Sequence, residues 1–238
     1  MLAVRPLRPM GPPGIDVLIP TYDRSDLLGR ALSSVVVSLR LAQVPFYIHV
    51  FDNLFHNVGF TAAMNKMARR GKHTWILALN DDCFVELGCI HAMLETAAIA
   101  DIVGAVLLDR EGKVIQTSTA FLKDRTPGLF VEQDLVRDKL VMGVSFACAL
   151  IRRSVWNYLG GLDSKLFNDY SDVDFCLRAL LENTKIAVAV GAKAEHVGGA
   201  SKDRTKHINH DLSAYLEKWG KREDFPVPPD HFTFTDIR

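Results

Sequence analysis

The first hundred residues alternate short apolar runs with segments of helical periodicity, and that alternation limits the fold more than any other feature. Ile15-Asp16-Val17-Leu18-Ile19 predicts a strand stopped by Pro20, and Leu28, Ala31, Leu32, Val35, Val36 and Leu39 predict a helix from Ser25. Phe46 to Phe51 predicts a second strand, Phe60 to Arg70 a helix closed by Gly71, and Thr74 to Leu79 a third strand. Glu86 to Ala98 is again helical. Successive strands joined by helices pair in parallel and need both faces covered. The pattern therefore predicts an α/β domain with a mostly parallel, Rossmann-like sheet flanked by helices, and ligands at the carboxyl ends of the strands.

The second half reads as mixed. Ile102 to Leu108 and Lys113 to Ser118 flank Asp109-Arg110-Glu111-Gly112, which has the content of a hairpin turn. Lys123 to Lys139 has little periodicity, and Val141 to Arg152 predicts a buried strand pair. A short helix, Gly160-Gly161, an acidic segment and a strand over Ile186 to Val190 follow, with a short amphipathic helix over Leu212 to Trp219. At 238 residues one domain can bury a full core. The expected organisation is a flexible leader over 1–14, a single domain over 15–222 with a donor nucleotide-binding half (15–100) and an acceptor and catalytic half (101–205), and an extended tail over 223–238. Pro6, Pro9, Pro12 and Pro13 break the leader, which lacks the apolar core of a signal peptide.

Lys plus Arg and Asp plus Glu both number 28, so no long-range field draws the chain to nucleic acid or to an anionic membrane. Cys83, Cys89, Cys148 and Cys176 lack paired C-x-x-C spacing and read as buried thiols of a reducing compartment, hence the cytoplasm. No apolar run approaches the roughly 18 residues of a spanning helix. Composition leaves open a peripheral contact at the inner face of the membrane.

Polar groups follow each of the first three strands: Thr21-Tyr22-Asp23-Arg24, Asp52-Asn53 and Asn80-Asp81-Asp82. Any one of them alone reads as a turn. Their repetition suggests a nucleotide lying across the sheet edge, with carboxylates for ribose, base or metal. Neither a G-x-x-x-x-G-K-[ST] loop nor a G-x-G-x-x-G turn is present, so a diphosphate would need a metal instead. Asp82 is the preferred ligand, and His196, in Glu195-His196-Val197-Gly198-Gly199, is the distant candidate to join it. His207 and His210 are expected on a solvated helix face. Asp169-Tyr170-Ser171-Asp172-Val173-Asp174 concentrates carboxylates where a helix begins, a position that favours an ionised base. The plainer reading of the same residues is a capping box from Ser171 to Asp174 and a helix pair from Asp174 to Arg178.

Taken in order, these segments resemble the inverting family-2 glycosyltransferases of GT-A fold. Ile15 to Arg24 resembles the family's opening motif, Asn57-Val58-Gly59-Phe60 with Asn65 its N-x-G-F helix entrance, and Leu79 to Cys83 its metal-binding D-x-D variant, in the N-x-D form of rhamnosyltransferase-like members. Gly143 to Arg153 and Leu159 to Asp163 resemble the acceptor-side segment, and Tyr170 to Arg178 the E-D-x-D-x-x-x-R signature. The resemblance implies transfer of a sugar from a UDP, dTDP or GDP sugar to a hydroxyl of a glycan or glycolipid. Asp172 would be the base, Asp82 and His196 would hold Mn2+ or Mg2+, and Asn80 and Asp81 would orient donor sugar or ribose. Pro20, Tyr22 and Asp23 would line the nucleotide, with Arg24 near phosphate and Asp52 near the base. Two departures stand out: only Leu54-Phe55-His56 separates Asn53 from Asn57, where the family places a helix and a strand, and Ser171 replaces a Glu. Two rivals are a non-catalytic module that binds nucleotide sugar or a partner glycosyltransferase, and a sugar nucleotidyltransferase. The latter would call for a glycine-rich, basic loop where Pro20 to Arg24 stands.

Overall fold

The computed structural model describes residues 11–121, 124–132, 134–198 and 204–226. The first half comprises β1 (Ile15–Thr21), α1 (Ser25–Leu41), β2 (Phe46–Asp52), α2 (Gly59–Arg70), β3 (Trp75–Leu79), β4 (Cys83–Val85) and α3 (Cys89–Thr96). The second comprises β5 (Ile102–Leu108), β6 (Val114–Gln116), β7 (Ser118–Phe121), β8 (Pro127–Phe130), β9 (Lys139–Leu140), β10 (Cys148–Arg152), α4 (Arg153–Tyr158), α5 (Ser171–Leu181), β11 (Ile186–His196) and α6 (Arg204–Trp219).

The central sheet runs β2-β1-β3-β10-β5-β11-β4, with β6 on β5 and β9 on β11. β2, β1, β3, β5 and β11 share one direction and β10 runs against them between β3 and β5. Alternation along each strand divides the core into two layers. Val17 and Ile19 of β1, Leu77 of β3 and Leu150 of β10 pack with Val35 and Leu39 of α1 and with Ile90 and Met93 of α3. Leu18, Ile76 and Ile151 face the other way, onto Met64 and Met67 of α2, Trp156 of α4 and Phe175 of α5. Both faces are covered, which is why these strands read as continuous apolar runs. Each fully buried Leu, Ile, Val, Met or Phe contributes roughly 1.5–3 kcal/mol. All four cysteines are buried and free.

Several elements differ from expectation. Over Val141 to Arg152 there is one strand, β10, not a pair. The preceding residues are buried, but their backbone bonds scatter: the Val141 N–H donates to the Ile186 carbonyl and the Gly143 carbonyl accepts from Thr119. An apolar run reports burial, not pairing. β11 extends past Val190 to His196 by a register shift between Ala189 and Lys193, at the glycine that hid its second half. α6 begins at Arg204, because Ile208, Leu212, Tyr215 and Trp219 keep helical spacing through a polar first half. Its Tyr215 and Trp219 pack with Val173 and Leu177 of α5 in a third apolar cluster. His207 stacks on Phe167 with ring centroids 4.0 Å apart, whereas His210 is exposed as expected.

Of the leader expected over 1–14, residues 11–14 are docked: the Thr74 N–H donates to the Pro12 carbonyl at 3.0 Å, and the Trp75 N–H to that of Gly14 at 3.1 Å. Residues 1–10 lie outside the described residues. At the other end Phe225 packs edge-on against Phe121, and residues 227–238 of the expected tail lie outside the described residues.

Candidate active site

β1, β2, β3 and β11 all end on one edge of the sheet, and β10, running against them, starts there. Backbone bonds tie these ends together: the Asn53 N–H donates to the Thr21 carbonyl at 2.8 Å and the Asn80 N–H to the Ala147 carbonyl at 3.0 Å. Above them opens a cleft of about 570 Å³, walled by Pro20 to Tyr22, Asn80 to Asp82, Ser145 to Ala147, Asn168 to Val173, and His196.

β4, a strand the sequence did not reveal, decides the position of His196. It turns back directly after Asp82 and pairs antiparallel with the end of β11, in a register that sets His196 opposite Cys83. The Val197 N–H then donates to the Asp82 carbonyl at 3.0 Å. As a result His196 Nε2 lies 3.3 Å from Asp82 Oδ1 and 3.4 Å from Asn80 Nδ2. Burial acts to raise the pKa of Asp82, but the hydrogen bond and charge of His196, with the charge of Arg24, outweigh it and hold the carboxyl below its ordinary value. Asp81 moves the other way: burial, aided by the charge of Asp82, raises its pKa against hydrogen bonds from Thr21 and the Tyr22 backbone. A carboxylate oxygen and an imidazole nitrogen facing one cleft are a donor pair that fits a divalent cation. No group of three or more His, Cys, Asp or Glu suited to a metal occurs among the described residues, so other coordination positions would fall to a ligand.

Asp172 stands on the opposite wall, in the first turn of α5. Its Oδ1 accepts the Val173 N–H at 2.8 Å and its Oδ2 the Phe146 N–H at 3.2 Å. Burial nevertheless raises its pKa, because two backbone donors do not replace the lost water. The expected capping box does not form. Tyr170, at φ 63°, occupies the N-cap without a side-chain cap, and Ser171 Oγ donates to the Asn168 carbonyl. Asp174 turns into the core instead, where it receives Arg178 Nε at 2.8 Å, Trp219 Nε1 at 2.9 Å and Lys218 Nζ at 2.6 Å. The same Arg178 donates to the Leu159 and Gly161 carbonyls. Asp174 thus braces α5, leaving Asp172 to face the cleft.

The entrance to α2 is closed by protein groups. Val58 N–H donates to Asn53 Oδ1, Gly59 N–H to Asn57 Oδ1, Phe60 N–H to Asn168 Oδ1 and Thr61 N–H to the Phe167 carbonyl. Gly59 sits at φ 80°, where an added Cβ would lie 2.6 Å from the Phe167 oxygen. Further along, Asn65 accepts the Leu162 N–H and donates to the Leu162 carbonyl, each at 2.9 Å.

Not every expected residue reaches the cleft. Pro20, Tyr22, Asn80, Asp81, Asp82, Asp172 and His196 line it. Asp52 is exposed outside it and spends Oδ1 on the Leu54 N–H, while buried Asn53 takes the place in the wall. A two-residue sequence window cannot tell these neighbours apart, since a strand end turns alternate side chains to opposite sides. Asp23 is exposed at φ 54°, and Arg24 caps α1 and reaches the site through its charge on Asp81 and Asp82.

Residues 47–160 match the glycosyl transferase family 2 profile. The matched segment, just under half of the chain, is similar to a family-2 glycosyltransferase domain. The match takes in Asn57 to Phe60 and Asn80 to Asp82, and stops short of β1, α5 and His196. No curated protein matches the sequence. Among solved structures, a crystal structure of GalNAc-T7 with UDP, GalNAc and Mn2+ superposes with a TM-score of 0.69 at 13% identity, over 87% of this chain and 49% of that one. TarS of S. aureus superposes with a TM-score of 0.58, also at 13% identity, over 88% and 40%. The likeness is one of fold, and the fold is GT-A. This chain spans half or less of the length of either structure. No helix among its described residues is long and apolar enough to cross a membrane.

Proposed function

We propose that the chain is a metal-dependent inverting glycosyltransferase that moves a sugar from a nucleoside-diphosphate sugar to an acceptor hydroxyl. The observation that carries this reading is the placement of Asp172, a carboxylate of raised pKa, in the same cleft as the Asp82–His196 pair. The presence of UDP and Mn2+ in the GalNAc-T7 crystal supports it.

Pro20 and Tyr22 would receive the nucleotide, with Asn53 in the wall where Asp52 was expected. Asn80 and Asp81 would orient ribose or donor sugar. Asp82 and His196 would hold Mn2+ or Mg2+, which supplies positive charge against the leaving diphosphate. The acceptor oxygen attacks the anomeric carbon as the carbon–oxygen bond to the diphosphate breaks, and Asp172 takes the hydroxyl proton. A carboxylate whose pKa burial has raised is, in its ionised form, a better base than an exposed one. Direct displacement inverts the anomeric centre.

The abbreviated base side favours a second reading, a module that binds nucleotide sugar without turning it over. β2 is an outer strand with Tyr47 and Val50 exposed, and Phe55 in the short connection is 96% exposed. A screen of UDP, dTDP and GDP sugars for donor hydrolysis, with calorimetry in the presence and absence of Mn2+, separates the two. Metal-dependent binding with slow hydrolysis supports the enzyme; binding without any hydrolysis supports the module.

A further inference from the structure

Asp211 of α6 is fully buried, and the chemistry above does not use it. Its Oδ1 accepts the N–H of Phe167 at 2.9 Å, and its Oδ2 accepts those of Asn168 at 2.8 Å and Asp169 at 2.9 Å. His210 Nδ1 lies 3.0 Å from Oδ1. Burial acts to raise its pKa, but the Asn168 and Phe167 N–H groups, His210 and the Asp169 N–H outweigh that and keep the carboxyl below its ordinary value. A carboxylate that takes three successive backbone N–H groups fixes the peptide planes between them, as an anion does in a backbone nest.

The segment it holds is the approach to the proposed base. Asp169 leads into Tyr170, at φ 63°, and then into the first turn of α5 with Asp172. One turn earlier on α6, His207 stacks on Phe167, and Ile208 closes the cleft beside the loop. Loop 167–169 thus meets α6 through three backbone bonds and a ring contact. Asp82 and His196, by contrast, are carried by β3, β4 and β11, which make none of these contacts.

We infer that Asp211 is a positioning residue that sets where Asp172 stands in the cleft by holding the backbone of residues 167–169 from α6. The inference rests on the role proposed for Asp172. Displacing that carboxylate slows proton removal and leaves the site for the diphosphate intact.

Asp211→Ala and Asp211→Asn test it by two readouts. Hydrogen exchange of the 167–169 amides accelerates in Asp211→Ala while β1, β3 and β11 stay protected. The kcat for transfer falls by about 10²-fold, as misplacement of a reacting group by about 1 Å does, with donor KM within about twofold. Asp211→Asn, which keeps one acceptor oxygen, falls between wild type and Ala on both measures. A purely structural role would lower protection throughout and leave kcat per folded molecule unchanged, and that result overturns the inference. So does unaltered exchange at 167–169. If Asp211→Ala does not fold, the Asn variant decides by the same two measures. If the wild type transfers no sugar at all, the function proposed above fails, and exchange at 167–169 still shows whether Asp211 holds the loop.

Discussion

His196 Nε2 and Asp82 Oδ1 lie 3.3 Å apart because β4 folds back on the end of β11 and sets His196 opposite Cys83. The pairing makes one site of two residues distant in sequence, with Asp82 held ionised by its neighbour. In the proposed role each is a metal ligand. Removing a ligand should cost at least what loss of an outer-shell partner costs, about 10–100-fold in metal affinity. His196→Ala and Asp82→Ala should therefore bind the donor no better with Mn2+ than without it. Calorimetry of each variant checks this, and a wild-type metal dependence in both would remove them from the metal site.

Asp172→Asn should slow transfer by about 10²–10⁴-fold, the usual worth of a general base. Donor binding should be unchanged, because the hydrogen bonds of this carboxylate go to the Val173 and Phe146 N–H groups and not to the residues assigned to the nucleotide. The pH dependence follows from the sign of its shift. Burial raises the folded pKa above 3.8, so the carboxyl is protonated and inactive below that raised value, and the rate climbs as pH rises through it. The acid limb of kcat should sit above the ordinary value of an Asp carboxyl and vanish in Asp172→Asn. A limb that persists in the variant belongs to another group.

Much of this site could be read in the sequence, for reasons particular to each part. The ends of β1 and β3 were legible because both faces of these strands are buried, so their apolar runs stop abruptly at Pro20 and Asn80. The division of labour in the acidic segment was half legible: Asp174 does pair with Arg178, but only the fold shows that Trp219 and Lys218 also claim it. β4 was not legible, since three residues of strand carry no period. Asp211 was invisible too. A buried carboxylate whose partners are main-chain N–H groups on a distant loop leaves no trace in side-chain pattern, and the polar first half of α6 concealed the part of the helix that bears it.

Gly160 and Gly161 offer a paired test of the acceptor-side turn. Both are left-handed, at φ 75° and 80°, yet a Cβ at Gly160 meets nothing whereas one at Gly161 would lie 2.4 Å from Asn65 Oδ1. Gly160→Ala should cost only the backbone strain, about 1–2 kcal/mol. Gly161→Ala should add to that same strain the displacement of Asn65 from its two bonds to Leu162, each worth about 1 kcal/mol. Urea unfolding of the two variants measures the difference. Equal midpoints would show that Asn65 yields without loss.

At the far end of the sheet Asp16 is buried with Arg153 Nη2 at 2.6 Å, His73 Nδ1 at 2.9 Å and His49 Nε2 at 3.3 Å. Arg153 also donates to the Ala68 and His73 carbonyls, so one ion pair joins β1, α2, the connection before β3, and α4. Removing one partner leaves the other charge buried, and Asp16→Ala should cost about 3–5 kcal/mol. Burial alone would raise the Asp16 pKa, but its hydrogen bonds to His73 and His49 and the charge of Arg153 outweigh burial and lower it below 3.8. With the folded pKa below the unfolded one, the stabilisation from ionised Asp16 is complete above about pH 4 and is lost as pH falls through the folded value. Denaturant unfolding of wild type and variant should therefore give a large gap at pH 5 that narrows toward pH 3. A gap that stays constant would place the stabilisation in packing around the carboxyl and not in its charge.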